Sequence, residues 1–282
     1  LTDKANSITY YLLLFLRFPL SKNTRIKGKS KNSLNPCIGE IRLVIMPALV
    51  HQKKLNIVIC TKDRFDKCFS LLHSLEYQVV RDSLQPFVRI IIIDNGSNKK
   101  NALKVRKLKP RLKNTLCLNL RFSGLSYSRN VAMSLCDEKD FIYFLDDDIK
   151  LMNSNFLTDL ISLINLNSPD LIGGPVHAKL PKEIPYWFNP EWLIRKFHSD
   201  GFGAERLSGG NFGLDLKTFS MEFKFDENLG MNGRKVRLGE EKDFVERYLL
   251  TRTPPRIYYS SKLKVEEEFD NQKLSLRYRM KR

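Results

Sequence analysis

Acidic residues are few in this chain: 31 Asp and Glu stand against 48 Lys and Arg, leaving a formal net charge of +17. That imbalance implies attraction to something anionic, whether nucleotide, phospholipid head group, acidic polysaccharide or nucleic acid. Paired cysteines are lacking as well. Cys37, Cys60, Cys68, Cys117 and Cys136 are an odd set at scattered spacings with no CxxC pair, which leaves no ground for a zinc site or a disulfide framework. Cys60 and Cys117 lie in apolar runs as reduced core thiols, and a reducing, cytosolic setting fits. Histidines number four, with none after His198. Long hydrophobic runs are missing too. The most membrane-like stretch, Ile8 to Leu20, is too short to span a bilayer and is interrupted by Arg17 and Pro19. It carries no cleavage-site pattern, so it reads as a strand or helix packed on the main domain in preference to a signal core or interfacial anchor. No internal repeat is present.

What is there has strong periodicity. A hydrophobic fraction of 42% and a charged fraction of 28% suit a soluble globular chain. Residues 1–54 read as a basic and apolar extension, in which Ser, Asn, Lys and Gly clusters from residue 21 to about 54 mark a linker. From Leu55 onward, Leu55 to Cys60 predicts a strand, and Phe69, Leu71, Leu72 and Leu75 have helical spacing. Val88 to Ile93 is a nearly continuous β-branched run, as in a strand buried on both faces. Leu116 to Leu120 predicts a third strand, Leu125 to Leu135 a helix, and Phe141 to Leu145 a fourth strand. Strands alternating with helices imply right-handed βαβ units and a mostly parallel central sheet flanked by helices. Past Ile172 a long region interleaves Pro175, Pro181, Pro185 and Pro190 with Tyr186, Trp187, Phe188 and Trp192, which suggests a functional loop. A helix near Glu241 to Leu250 and a strand at Arg256 to Tyr259 follow. The domain boundaries expected are 55–268, with halves 55–150 and 151–268, and a basic tail at 269–282.

The chemistry concentrates at strand ends. Asp146-Asp147-Asp148 directly follows the fourth strand, at the edge where open parallel sheets bind ligands. On an extended segment Asp146 and Asp148 would point the same way and share one hard cation, leaving coordination positions for a diphosphate. The competing reading is that Asp148 or Asn153 caps the helix beginning near Phe156. The first strand ends in Thr61-Lys62-Asp63-Arg64 and the second in Asp94-Asn95-Gly96-Ser97. One Asp-Asn-Gly is an ordinary turn; three polar strand ends on one sheet edge make a crevice.

The order VICTKDR, IIIDNGS, GLSYSRN and FLDDDI resembles the inverting family-2 glycosyltransferases of the GT-A fold, over about residues 55–268. Leu207-Ser208-Gly209-Gly210-Asn211, Phe225-Asp226-Glu227-Asn228-Leu229-Gly230 and Gly239-Glu240-Glu241-Lys242-Asp243 resemble the later landmarks of that family. The resemblance implies a nucleoside-diphosphate-sugar donor, most often a UDP-sugar, and a divalent cation, manganese or magnesium. It implies that Asp94 contacts the nucleoside and that Thr61, Asp63 and Arg64 line the same pocket. Arg129 and Asn130 would sit between nucleotide and sheet edge. Asp146 and Asp147 would lie on the donor side, with Asp148 on the metal. Glu241 would be the catalytic base, with Glu240 and Asp243 as competitors.

The physical requirements agree with these roles. In an inverting transfer the acceptor hydroxyl attacks from the face opposite the leaving nucleotide, so one carboxylate within hydrogen-bond reach suffices as base. A divalent cation would neutralise the departing diphosphate. The ordinary role for Glu241 is an acidic first helical turn complementing the dipole. Tyr186, Trp187 and Trp192 either stack on an acceptor sugar or anchor their loop. His177 and His198 read as structural or surface residues. The chain departs from the family where many relatives place a late His ligand: here stand Lys264-Val265-Glu266-Glu267-Glu268. Glu267 is the oxygen ligand that could replace it.

The expected acceptor is a saccharide or glycolipid of a cell-surface polysaccharide. The expected location is cytoplasmic, with peripheral contact at the inner face of an anionic membrane. The basic run Lys99 to Lys113 lacks interleaved aromatics, so it reads as a solvated helix face and no nucleic-acid partner is expected. A pyrophosphorylase would want a Gly-rich phosphate loop after the first strand, and TKDRFDK is not one. A haloacid-dehalogenase-type phosphatase would usually place Thr or Val where Lys150 stands. The reading from a different class is a degenerate GT-A domain that binds nucleotide, glycan or membrane without catalysis.

Overall fold

A computed structural model of the chain describes residues 53–281, apart from 109, 194–198, 220–221, 233–234 and 270. The Ile8 to Leu20 segment, most of the linker, Cys37 and His198 lie outside the described residues, as does the side chain of Trp192.

The amino-terminal half alternates strands and helices: β1 (Leu55–Thr61), α1 (Phe65–Arg81), β2 (Val88–Asp94), α2 (Lys99–Arg106), β3 (Thr115–Asn119), α3 (Leu125–Ser134) and β4 (Phe141–Asp146). Next come β5 (Ile149–Leu151), α4 (Phe156–Asn167), β6 (Leu171–Gly173), β7 (Val176–Lys179), β8 (Gly201–Phe202) and β9 (Asn211–Asp215). The hairpin β10 (Gly230–Asn232) and β11 (Lys235–Arg237) leads into α5 (Glu240–Thr251), β12 (Ile257–Tyr259) and β13 (Val265–Glu268). The short helices α6 (Asn271–Leu274) and α7 (Leu276–Lys281) close the chain.

An eight-stranded sheet runs in the order β3-β2-β1-β4-β9-β6-β12-β8. β3, β2, β1 and β4 are mutually parallel, while β9 runs antiparallel between β4 and β6. The runs of Ile and Val in β1 and β2 are explained by burial on both faces. Ile57, Ile59, Ile90 and Ile92 join α1 and α4 in one core, through Leu71, Leu72, Leu75, Leu157 and Leu160. Val58, Ile91, Ile93 and Phe144 join α5 in the other, through Phe244, Val245 and Tyr248. Each such side chain contributes roughly 1.5–3 kcal/mol by leaving water.

The chain crosses from β1 to β2 on one side and reaches β4 on the other. The carboxyl ends of β1 and β4 therefore flank the topological switch point, where open sheets hold ligands. Cys60 and Asp146 stand opposite each other there, as do Thr61 and Asp94. A second, three-stranded sheet, β5-β13-β7, carries the late acidic segment back beside the triplet, with Glu267 opposite Ile149. Within the expected tail at 269–282, Phe269 and Leu274 are buried against Phe188 and Trp187. The expected solvated helix in the basic run is α2, where only Val105 is buried.

Candidate active site

The triplet is not an extended segment. β4 ends at Asp146, and Asp147 and Asp148 form a tight turn into β5. The alternation that would aim Asp146 and Asp148 at one cation is lost at that turn. Neither residue caps α4, which is preceded by Asn155; Asn153 instead accepts from the Asn155 backbone N–H at 2.8 Å.

Each carboxylate has its own surroundings. Asp147 is fully buried and accepts from Thr61 Oγ1 at 2.7 Å and from Arg64 Nε at 3.1 Å. Burial pushes its pKa up to about 6, against the pull of Arg64 and Thr61. Asp148, whose side chain is 2% exposed, accepts through Oδ2 from Arg64 Nη1 at 2.8 Å and from Lys273 Nζ at 2.5 Å. Burial opposes its charged form, yet Arg64 and Lys273 together hold its pKa below the ordinary value. Asp146 keeps a side chain 39% exposed and lies 3.8 Å from Arg129. Surrounding protein raises its pKa to about 6; Arg129 opposes this, while Asp148 and Glu267 add to it.

Arg129 links the carboxyl end of β4 to the start of α5. Its Nη1 donates to Glu240 Oε1 at 2.9 Å and its Nη2 to the Gly209 carbonyl at 2.8 Å. The guanidinium lies over the rings of Phe144, Phe212 and Phe225, at 5.6, 5.6 and 5.4 Å. Glu240 is thereby committed to a buried ion pair. Glu241 is different: among the described residues no ion pair engages it. Burial raises its pKa, Glu240 adds repulsion, and Arg129 only partly offsets both. Asp243 turns to Arg247 of its own helix, at 2.9 and 2.7 Å, and takes no part in the cluster.

Two glycines permit this crowding. A Cβ on Gly210 would come within 2.6 Å of Asp146 Oδ2, and one on Gly209 within 3.0 Å of Glu241 Cδ. The Gly-Gly pair therefore lets one loop touch both the Asp146 carboxylate and Glu241 of α5.

The remaining expected residues shape the rim. Asp94 is buried and accepts from the Ser97 backbone N–H at 3.0 Å and from Asn119 Nδ2 at 2.7 Å. Asp63, at a left-handed φ of 55°, accepts from the Asn98 backbone N–H at 2.9 Å and from Asn101 Nδ2 at 3.2 Å. It clasps the loop after β1 to the start of α2. Asn130 bonds to the segment ahead of β10. Its amide holds the Phe225 backbone, accepting at 2.9 Å and donating at 3.0 Å, and donates to Glu227 at 2.9 Å. Tyr186 is fully exposed, whereas Trp187 packs edge-on against Phe188 and anchors the loop. His177 sits on β7 opposite Glu266.

A divalent cation does not fit the expected ligand set as it stands. Asp146 faces Arg129, while Asp148 and Glu267 are both bonded to Lys273. Among the described residues no three His, Cys, Asp or Glu side chains form a group able to hold a metal ion. Lys273 was not anticipated from the sequence, since nothing local ties it to a residue 125 positions earlier.

With this geometry in place, the comparisons with known proteins are decisive for the family. The sequence model described as Glycosyl transferase family 2 matches residues 56–227. The chain belongs to that family. The match ends before α5, so Glu240 and Glu241 lie beyond it. No curated protein matches in sequence.

Solved structures share the GT-A fold of this family-2 chain. The crystal structure of residues 1–349 of TarS from S. aureus is 19% identical, with a TM-score of 0.57, covering 76% of this chain and 60% of that one. GalNAc-T7 with UDP, GalNAc and Mn2+ is 16% identical, with a TM-score of 0.56, covering 78% and 44%. The mannosyltransferase PcManGT from Pyrobaculum calidifontis, in complex with GDP-Man and Mn2+, is 12% identical, with a TM-score of 0.58, covering 82% and 62%. The present chain thus spans less than two thirds of the length of each.

Proposed function

We propose that this glycosyltransferase moves a sugar from a nucleoside-diphosphate sugar to a hydroxyl of a glycan or glycolipid, with inversion, using Glu241 as base. The observation that carries this reading is the contrast between two adjacent acids. Glu240 is bonded to Arg129, while Glu241 has no ion pair among the described residues, has a raised pKa, and sits beside the Gly209-Gly210 loop that also meets Asp146. A carboxylate poised in this way can take a proton from an acceptor hydroxyl.

In this reading the donor lies across the ends of β1 and β4. Asp94 and the Asp63 clasp hold the nucleoside side, Asp146 meets the ribose or sugar, and Arg64 faces the diphosphate. The Arg64 side chain is 42% exposed and fixed by Asp147 and Asp148. It is therefore pre-organised to stabilise the leaving group's charge. Tyr186 offers an exposed ring to an acceptor sugar. UDP is the first nucleotide to test, because TarS has been solved with UDP-GlcNAc and GalNAc-T7 with UDP; GDP follows from PcManGT. Synthesis of a surface polysaccharide at the cytoplasmic face of an anionic membrane is consistent with the net charge of +17. No helix among the described residues is long and apolar enough to cross a membrane.

The test is release of nucleoside diphosphate from UDP-, GDP- and dTDP-sugars, with and without saccharide acceptors. Donor turnover that vanishes in Glu241→Gln, with donor binding retained, supports the reading; unchanged turnover in that variant overturns the assignment of the base. The alternative, a donor-binding module without catalysis, draws on the closure of Asp148 by Arg64 and Lys273. It predicts diphosphate binding with no turnover of any donor.

A further inference from the structure

The Asp148–Glu267 pair lies at the corner where β13 meets the turn after β4, with the Glu268 backbone N–H 3.4 Å from the Asp148 carbonyl. Lys273 enters this corner from α6. Its Nζ is 2.5 Å from Asp148 Oδ2, 2.9 Å from Glu267 Oε1 and 3.4 Å from the Glu268 carbonyl. An ammonium has three donors, and these three oxygens surround it. The Lys273 side chain is 12% exposed, and those of Asp148 and Glu267 are 2% and 13% exposed. The Phe269 ring lies beneath the charge at 5.1 Å.

The element delivering the lysine is anchored. Leu274, its neighbour, is fully buried with Phe269 and Phe188. Arg64 Nη1 also reaches Asp148 Oδ2, at 2.8 Å, but it is Lys273 that bridges Asp148 and Glu267.

We propose that Lys273 is the resident cation of the Asp148–Glu267 pair, filling from within the chain the position a divalent metal would otherwise take. The consequence rests on the donor-site reading above: diphosphate binding at Arg64 proceeds without a divalent ion. The manganese titration that tests Lys273 does not rest on it, because it uses metal and no nucleotide.

Manganese chloride alone is titrated against the whole chain by calorimetry and thermal shift, for the wild type, Asp148→Asn, Lys273→Ala, Lys273→Arg and Asp148→Asn/Lys273→Ala. The wild type and Lys273→Arg are expected to show no manganese-dependent rise in Tm. Lys273→Ala is expected to gain one of several degrees, and the double variant to lose it. Manganese binding by the wild type that Asp148→Asn abolishes would overturn the proposal, as would a folded Lys273→Ala that binds none. Should Lys273→Ala fail to fold even with manganese, the wild-type titration alone decides, by the same Asp148→Asn criterion. A parallel titration of UDP and GDP with and without EDTA separates the two readings. Absence of diphosphate binding counts against the donor site, whereas binding that requires manganese counts against Lys273.

Discussion

Arg129 Nη1 lies 2.9 Å from Glu240 Oε1, with both side chains almost wholly withdrawn from solvent. This pair joins α3 to the first turn of α5, so the helix that presents Glu241 is positioned by a residue more than a hundred positions earlier. Removing one partner leaves the other charge buried and alone. Arg129→Ala is expected to lower stability by about 3–5 kcal/mol, as read from denaturant midpoints at constant m-value. An unchanged midpoint would show that the pair does not position α5.

The raised pKa of Glu241 has a pH consequence. A general base must be deprotonated, so kcat/KM should fall as pH drops through a value above the ordinary Glu range. Burial is the larger cause and repulsion by Glu240 the next. Glu240→Gln removes that repulsion and should move the acid limb of the profile to lower pH. A limb that stays in place would assign the base elsewhere.

Asp146 should trade stability for function. Its pKa in the folded state is raised to about 6, above the ordinary 3.8. The folded state therefore holds the proton more tightly, and stability is lost as pH rises from about 4 through 6. Asp146→Asn is expected to gain about 1 kcal/mol at pH 7, discounted for the carboxylate's opening to solvent, or about 2–4 °C in Tm. The gain should vanish below about pH 4, and donor turnover should fall at least tenfold. Thermal melts across that pH range, beside a turnover assay, test both halves.

The Gly209-Gly210 loop predicts a kinetic split. Gly210→Ala places a methyl against Asp146 and should raise donor KM by about tenfold, the equivalent of 1.4 kcal/mol. Gly209→Ala crowds Glu241 and should lower kcat, with donor KM little changed. Equal effects of the two variants on both constants would mean that the loop matters only to folding.

Much of the donor half was legible because burial on both faces writes itself into β1, β2 and β4 as unbroken apolar runs. Their polar ends, Thr61 to Arg64, Asp94 to Ser97 and Asp146 to Asp148, marked the crevice for the same reason. The small sheet was not legible. A segment such as Val265 to Glu268 carries too much charge and too few residues to announce a strand; it is held by its partners β5 and β7. The turn at Asp147-Asp148 also escaped, since identical residues give no sign of where extension stops. Asn130 and Asp243 have side chains suited to a site, yet their partners, Phe225 and Arg247, are set by tertiary packing and by a local helical pair. Phe269 and Leu274 looked like part of a basic tail because two buried side chains do not make a period.

The inward-facing middle acid changes how the triplet responds to load. Thr61 and Arg64 stand on either side of the β1–α1 connection, and both are fastened to Asp147 in the turn after β4. A ligand drawing on the Arg64 guanidinium therefore pulls on the same turn that carries Asp148, with Asp146 one bond away. In the proposed donor reading, occupancy at Arg64 and placement of the Asp146 carboxylate would form one mechanical linkage through Asp147.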